Sequence, residues 1–214
     1  MHSTDLPPEV LSLRRRALIR NSARAAAAMA AIPRTSAAQP HRQAPDMPRI
    51  HAMMTRPIPS TGEEMPIIGC GTYIGFDVSP GSAEFTRLPA VLNELFAAGG
   101  SIIDSSSMYG RAEAVLGELL AVSGDRSKAF LATKVWTRGR SAGIAQMEQS
   151  FTLLKANRID LMQIHNLLDW RTHLPILRGW KQAGRVRYLG ITHYTASAYP
   201  EVEAVLRTEK VDFL

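Results

Sequence analysis

The sequence predicts an α/β fold of the (β/α)8 TIM-barrel type, truncated after about five and a half β/α units. From Pro57 onward, short apolar runs alternate with stretches of helical period, which is typical of βαβ units built on a parallel sheet. No Gly-x-Gly-x-x-Gly motif opens a helix after the first apolar run, where residues 69–73 read Gly-Cys-Gly-Thr-Tyr. The missing phosphate-binding motif favours a barrel over a doubly wound nucleotide-binding sheet.

Each element follows from its pattern of apolar residues. Buried strands are predicted at 65–73, 101–105, 129–135, 160–167 and 186–192, and a sixth strand begins at 211–214. Amphipathic helices are predicted at 84–98, 112–122, 143–156, 174–183 and 197–208. Gly99 and Gly184 stand where two of these helices end, because glycine readily adopts the left-handed conformation that closes a helix.

Composition restricts the class of protein. The 214 residues are 45% hydrophobic, which suits one globular domain. Residues 1–42 hold seven Lys/Arg and two Asp/Glu, so they account for +5 of the net charge of +6. A nucleic-acid-binding domain carries its basic residues on the folded body, so this distribution argues against nucleic acid as a partner. Cys70 is the single cysteine, which excludes an intrachain disulfide.

The first 38 residues have the order of a secretory signal. A basic run precedes an alanine-rich stretch at 22–32, and small residues follow at 36–38. The pair Arg15-Arg16, followed by two apolar residues and Arg20, resembles a twin-arginine signal and predicts an exported, periplasmic protein. The alternative is a disordered basic tail or a later start at Met47 or Met53, with a cytoplasmic location.

Two further segments complete the predicted organisation. Residues 39–56 hold three prolines among polar residues and are interpreted as a linker, and 57–214 form the partial barrel. No segment approaches the roughly 20 apolar residues that a membrane span requires.

Three ionisable residues stand at the ends of successive predicted strands. Asp104, Lys134 and His165 are separated by 30 and 31 residues, about one β/α unit each. Barrel enzymes carry their reactive groups at the carboxyl ends of strands, so these side chains are expected to converge on one mouth. Singly, Asp104 is explained as a helix cap, Lys134 as a solvated strand end and His165 as a core histidine. Because all three residues occupy equivalent points of successive β/α units, a shared functional site is favoured over three independent explanations.

The same region resembles the aldo-keto reductase family. Residues 100–110 (Gly-Ser-Ile-Ile-Asp-Ser-Ser-Ser-Met-Tyr-Gly), followed by Glu113 and Gly117, are similar to its signature. Residues 132–136 (Ala-Thr-Lys-Val-Trp) and 160–166 (Asp-Leu-Met-Gln-Ile-His-Asn) resemble its third and fourth strands. The resemblance covers about 57–214 and implies NADPH-dependent reduction of aldehydes or ketones, or the reverse oxidation, without a metal.

The resemblance also implies catalytic roles. Tyr109 is expected to protonate the carbonyl oxygen as a general acid. Lys134 is expected to lower the pKa of Tyr109, and Asp104 to pair with Lys134. His165 is expected to orient the carbonyl and to donate a hydrogen bond to the developing alkoxide. Taken without these partners, Tyr109 is equally explained as a packing aromatic.

Other positions are implied to hold the ligands. Cofactor contacts are implied for Thr72, Asp104, Asn166, Thr192 and His193. Tyr73 and Trp136 are implied to line the substrate pocket, although a buried tryptophan explains the latter as well. Thr192 and His193 stand where the family has Ser-Asn. Threonine keeps the hydroxyl donor, whereas His193 leaves open whether it orients the cofactor or faces the substrate.

The sequence ends inside the sixth strand, ahead of the family's nicotinamide-stacking aromatic and its loop for the adenosine 2′-phosphate. A complete barrel has about 250 residues, against 158 from Pro57. We therefore expect weak turnover of this chain and self-association through an open sheet edge. An NAD(P)H-dependent reductase of small carbonyl compounds is the favoured function. The alternatives are a non-catalytic NADPH-sensing regulatory protein and a non-functional fragment, but a pure binder has no need for Tyr109 and Lys134.

Overall fold

The computed structural model describes residues 52–214, which form two sheets and five helices. The predicted signal at 1–38 lies outside the described residues, as does most of the linker predicted at 39–56. An antiparallel hairpin comes first, made of β1 (Thr55–Pro57) and β2 (Glu64–Pro66). The parallel strands follow as β3 (Cys70–Gly71), β4 (Ile102–Asp104), β5 (Phe130–Val135), β6 (Ile159–Ile164) and β7 (Val186–Ile191).

Each parallel strand is followed by a helix. The helices are α1 (Leu88–Ala97), α2 (Ala112–Ser123), α3 (Arg140–Leu153), α4 (Trp170–Gln182) and α5 (Tyr199–Thr208). The five strands lie in the sheet in the order in which they occur in the chain. Every new strand is thus added on the same side, as in a barrel, whereas a doubly wound sheet reverses direction. The predicted α/β class and barrel type are confirmed.

The sixth predicted strand, 211–214, is represented by a single bridge at Phe213. Gly190 and Phe213 form a parallel bridge. The backbone N–H of Ile191 donates to the Phe213 carbonyl at 3.2 Å, and the Phe213 N–H donates to Leu189 at 3.1 Å. The segment therefore continues the sheet beside β7, in the predicted order.

The first predicted strand, 65–73, is divided between the two sheets. Its first residues belong to β2 of the hairpin, and only Cys70–Gly71 pairs with β4. Pro66 has no N–H with which to continue a ladder. Gly69 then passes so close to β4 that a Cβ there would lie 2.8 Å from the Ile102 Cβ. The apolar run predicts one buried strand, but Met65 and Pro66 are buried, whereas Ile67 and Ile68 between the two sheets are exposed.

The main core lies between the sheet and its helices. Ile103, Leu131 and Met162 of the strands are fully buried against residues such as Leu116 and Leu177 of the helices. Full burial of one such side chain contributes roughly 1.5–3 kcal/mol. This packing fixes the positions of the strands, and hence of whatever stands at their ends.

The helices pack closely enough to require glycine at one crossing. A Cβ on Gly117 of α2 would lie 2.1 Å from the Leu153 carbonyl oxygen at the end of α3. No described helix is long and apolar enough to cross a membrane.

A second, smaller core closes the amino-terminal end of the parallel strands. Ile58 and Met65 of the hairpin region pack against Phe130, Leu161 and Tyr188, which lie on three neighbouring strands. The hairpin therefore covers this end, and the carboxyl-terminal ends of the strands remain available for a site.

Candidate active site

The three predicted strand-end residues meet at the carboxyl-terminal edge of the sheet. Asp104 is the last residue of β4, Lys134 the last but one of β5, and His165 follows β6 directly. Parallel pairing brings these three strand ends side by side. The convergence that the 30-residue spacing predicts is therefore present.

The Lys134 ammonium is held by an ion pair and a hydrogen bond. Its Nζ lies 2.5 Å from Asp104 Oδ2 and donates to the Ser105 carbonyl at 2.7 Å. The Lys134 side chain is 6% exposed, whereas that of Asp104 is 38% exposed. Gln163 Nε2 donates to the other carboxylate oxygen of Asp104 at 3.3 Å. A buried ammonium is tolerated only with such partners, so its position is set by the surrounding strands.

Tyr109 lies over this pair, in the turn between β4 and α2. The Lys134 Nζ is 5.4 Å from the centre of the Tyr109 ring. The ring of Tyr73 lies 4.9 Å away, and His165 faces Tyr109 edge-on with ring centres 6.1 Å apart. Gly110 supports the turn, because its φ is +56° and a Cβ there would collide with the Asp77 carboxylate.

The pKa of Tyr109 is raised, contrary to the expectation that Lys134 lowers it. Burial is the main cause, and the negative charge of Asp104 and the neighbouring Tyr73 add to it. The Lys134 ammonium, which is also bound to Asp104 and to the Ser105 carbonyl, does not outweigh these effects. At neutral pH the Tyr109 phenol is therefore protonated and able to donate its proton.

His165 is neutral at the same pH. Burial, followed by the charge of Lys134, lowers the pKa of His165 from 6.5 to about 4. Its Nδ1 lies 3.2 Å from the Ser106 Oγ, and its ring centre lies 6.4 Å from that of Trp136. A neutral imidazole offers one N–H donor and one acceptor nitrogen, so the partner of each nitrogen decides what His165 can do.

Tyr109 and His165 line a cavity of 540 Å³. Its lining residues are Tyr73, Met108, Tyr109, Trp136, His165, Asn166, Thr192, His193 and Tyr194. Tyr73, Trp136 and Tyr194 form exposed aromatic walls, and Tyr194 is 81% exposed. Tyr73 and Trp136 thus lie where the sequence predicts a substrate pocket.

Three of the predicted cofactor residues line this cavity together. The Asn166 N–H donates to Thr192 Oγ1 at 3.1 Å, and Asn166 has a φ of +55°, which asparagine tolerates better than most residues. The Nδ1 of His193 accepts the backbone N–H of Tyr194 at 3.1 Å and that of Thr195 at 3.2 Å. The Nε2 of His193 is the nitrogen left to act as a donor.

Thr72 is placed differently from the other predicted cofactor residues. Its side chain is fully buried, and its Oγ1 donates to the Ser105 Oγ at 2.9 Å. This hydrogen bond joins the end of β3 to the end of β4, and the Thr72 side chain does not line the cavity. Asp104, also predicted to contact the cofactor, is bound to Lys134 and Gln163.

Ser106 and Gln163 complete the site and were not singled out from the sequence. Both are polar residues within or next to a buried strand, and this is the signal that points to them. Serine and glutamine are too common in such places for that signal to be specific. Among residues 52–214, no group of His, Cys, Asp and Glu is arranged to hold a metal ion.

The profile of the Aldo/keto reductase family matches residues 68–214. The chain belongs to this family. A methylglyoxal reductase of Escherichia coli, YeaE, is 39% identical over 106 residues, which are 47% of this chain and 35% of that protein. An NAD/NADP-dependent indole-3-acetaldehyde reductase of Schizosaccharomyces pombe is 29% identical over 154 residues, 69% of this chain and 52% of that protein. The chain thus spans between a third and about half of these curated relatives.

Solved structures of the family share the fold. The aldo-keto reductase AKR11C1 of Bacillus halodurans, in its holo form, has a TM-score of 0.62 at 20% identity, covering 74% of this chain and 55% of that one. An aldo/keto reductase of Klebsiella pneumoniae in complex with NADP and acetate has a TM-score of 0.57 at 24% identity, covering 69% and 52%. At these identities the similarity establishes the architecture of the parallel sheet and its helices.

Proposed function

We propose that this protein is an NAD(P)H-dependent oxidoreductase that reduces the carbonyl group of a small aldehyde or ketone. One observation carries the proposal. The side chains of Tyr109 and His165 and the ion pair of the buried Lys134 with Asp104 meet beside a single cavity. This set supplies a proton and a hydrogen bond to an oxygen that gains negative charge, which is what reduction of a carbonyl demands.

The cavity suits a nicotinamide ring and its carboxamide. When bound, the reduced cofactor supplies the hydride. Asn166 offers both an amide donor and an amide acceptor, Thr192 a hydroxyl and His193 an Nε2 donor. Two relatives support this choice, because one is named as NAD/NADP-dependent and one solved neighbour contains NADP.

Tyr109 delivers the proton. As charge develops on the carbonyl oxygen, the Tyr109 hydroxyl gives up its proton, and the phenolate left behind is stabilised by the Lys134 ammonium. His165 donates an N–H to the same oxygen and holds it in place. The raised pKa of Tyr109 keeps its hydroxyl protonated at neutral pH, which is the form that reduction of a carbonyl requires.

Substitution of Tyr109 tests the assignment. Methylglyoxal and indole-3-acetaldehyde, the substrates in the relatives' names, are offered with NADPH to the whole chain and to Tyr109→Phe. We expect the variant to lose turnover by at least about 10²-fold, while quenching of Trp136 fluorescence by NADPH is retained. Tyr199→Phe, on the exposed start of α5, is the matched control.

Each outcome separates the alternatives. Equal turnover by the wild type and Tyr109→Phe would refute Tyr109 as the acid. Saturable NADPH binding without turnover by the wild type would favour the non-catalytic regulatory function instead.

We propose further that the protein is exported by the twin-arginine route. The support is the order of residues 1–38 alone, with its pair Arg15-Arg16. Replacing both arginines with lysine is expected to retain the protein in the cytoplasm of a bacterial host, as measured by cell fractionation. A periplasmic protein after this change would exclude that route.

Self-association is a third proposal. Among the described residues, the outer edge of β3 has no strand partner, and an unpaired edge favours association with another sheet. Sedimentation at increasing protein concentration tests this, and a constant monomer mass would refute it.

A further inference from the structure

Three consecutive serines follow β4, and each has a different partner. Ser105 Oγ accepts the hydroxyl of Thr72, and Ser107 Oγ donates to the Lys134 carbonyl at 3.1 Å. Ser106 Oγ lies 3.2 Å from the Nδ1 of His165. Of the three side chains, that of Ser106 is therefore the one bonded to the side-chain group through which a residue is proposed to act in the reaction, whereas Ser107 contacts only the backbone of Lys134.

The surroundings of Ser106 decide the direction of this hydrogen bond. The residue is 1% exposed, so water has little access to it. The other group near its Oγ is the backbone N–H of Met108, at 3.5 Å, and this group is a donor. Among the described residues, Nδ1 of His165 is therefore the acceptor within reach of the single Ser106 hydroxyl proton.

The opposite arrangement leaves a buried proton without a partner. If Nδ1 of His165 carried its own proton and donated it to Ser106, the hydroxyl would receive two N–H donors and have no acceptor for its own hydrogen. Buried polar groups that lack a partner are rare because they are costly. The hydroxyl proton therefore points at Nδ1.

We propose that Ser106 is a positioning residue that sets the tautomer of His165, keeping Nδ1 as an acceptor and the proton on Nε2. Ser106 does not line the cavity, whereas His165 does. The ring edge that bears Nε2 is therefore the one presented to the cavity, and it presents a donor.

The catalytic consequence rests on the proposed carbonyl reduction. An Nε2–H donates to the substrate oxygen as its negative charge grows, whereas a bare Nε2 lone pair would repel it. A histidine distributed between two tautomers is effective only in the fraction that has the correct one. Ser106 thus acts through His165 without touching the substrate.

Nitrogen-15 NMR of the full chain, labelled at histidine and kept at neutral pH, reads the tautomer directly. The ring signals of His165 are assigned by their loss in His165→Gln. We expect a protonated Nε2 and an unprotonated Nδ1 in the wild type. We expect a mixture of tautomers in Ser106→Ala and a return to the wild-type pattern in Ser106→Thr, which restores the hydroxyl.

Ser107→Ala is the matched control, because it removes a neighbouring hydroxyl bonded to a backbone carbonyl. It is expected to leave the His165 signals unchanged. In turnover assays, Ser106→Ala is expected to lower kcat roughly tenfold, the size of effect that one neutral hydrogen bond can produce. KM for NADPH is expected to stay within about twofold, since Ser106 does not line the cavity.

Some results overturn the proposal. A proton on Nδ1 in the wild type would do so, whether or not any variant folds. An unchanged tautomer in a folded Ser106→Ala would do so as well, even with a lower kcat. A tautomer that shifts without any change in kcat would instead contradict the assigned role of His165. A wild-type chain without turnover would leave the NMR result intact.

Discussion

The two ends of the parallel strands differ in how their charged groups are used. The cavity at the amino-terminal end is the larger, at 840 Å³ against 540 Å³, and it is rich in arginine and lysine. Arg187 is paired with Glu63 and Asp160, and Lys155 with Glu118. Size and charge therefore do not mark the site in this molecule.

At the carboxyl-terminal end, by contrast, polar groups face the cavity. Tyr109 and His165 each contact a neighbour, Lys134 and Ser106 respectively, and both line the cavity. The amino-terminal end satisfies its charges internally, as when Asp160 accepts the Leu131 N–H at 2.9 Å. The comparison teaches that charged groups pair with one another at one end, whereas at the other end polar side chains line the cavity of the candidate site.

The largest expected effect is on turnover at the carboxyl-terminal end. Lys134→Met removes the charge that stabilises the Tyr109 phenolate, so kcat is expected to fall about 10²- to 10³-fold. Folding should be retained, because Asp104 keeps its bond to Gln163 and its contact with solvent. Steady-state kinetics measure the loss, with Lys155→Met on the exposed surface as the control. A kcat within threefold of the wild type would remove Lys134 from the mechanism.

The next effect is on stability at the amino-terminal end. Leu161→Ala leaves a void between the hairpin and the strands, and it is expected to lower the free energy of unfolding by about 2–4 kcal/mol. Urea unfolding measures this loss, and kcat per folded molecule should be unchanged. Leu206→Ala, at a half-exposed position on α5, is expected to cost less than about 0.5 kcal/mol. Equal losses for the two variants would show that the hairpin core contributes little.

A smaller effect is expected from the ion pairs at the same end. Glu63→Gln weakens its contacts with Arg187 and with the Tyr188 hydroxyl, while Asp160 still binds Arg187. We expect a loss of about 1 kcal/mol in unfolding free energy. Glu118→Gln, in an exposed pair, should change it by less than about 0.5 kcal/mol. A turnover defect in Glu63→Gln would contradict the separation of the two ends.

A further effect is a pH dependence carried by the site itself. The pKa of His165 is about 4 in the folded protein and 6.5 ordinarily, because burial and Lys134 disfavour its charge. Between these values the unfolded chain binds a proton on this ring that the folded protein does not, so stability falls as the pH drops from about 6.5 to about 4. Urea midpoints at about pH 7 and pH 5 should differ less in His165→Gln than in the wild type. If the wild type and His165→Gln showed the same pH dependence, groups other than His165 would account for the loss of stability at low pH.

Much of the site could be predicted from the strand ends. Asp104, Lys134 and His165 recur once per β/α unit, and parallel pairing necessarily aligns such positions. Thr72 is equally close to a strand end, yet its side chain is buried. Spacing along the chain predicts the edge at which a residue lies, but not whether its side chain points to the cavity or beneath it.

The sequence by itself determined the order of the parallel strands and their helices, the barrel type and the edge of the sheet at which the candidate site lies, because periodicity and spacing are local properties of the chain. Only the tertiary structure decided how deeply Tyr109 is buried and how close Asp104 and Tyr73 lie to it, and therefore that the pKa of Tyr109 is raised and not lowered. It alone also placed Ser106 against His165, 59 residues apart. Burial, hydrogen-bond direction and charge at a few ångströms depend on how strands meet in space, and no linear pattern contains that information.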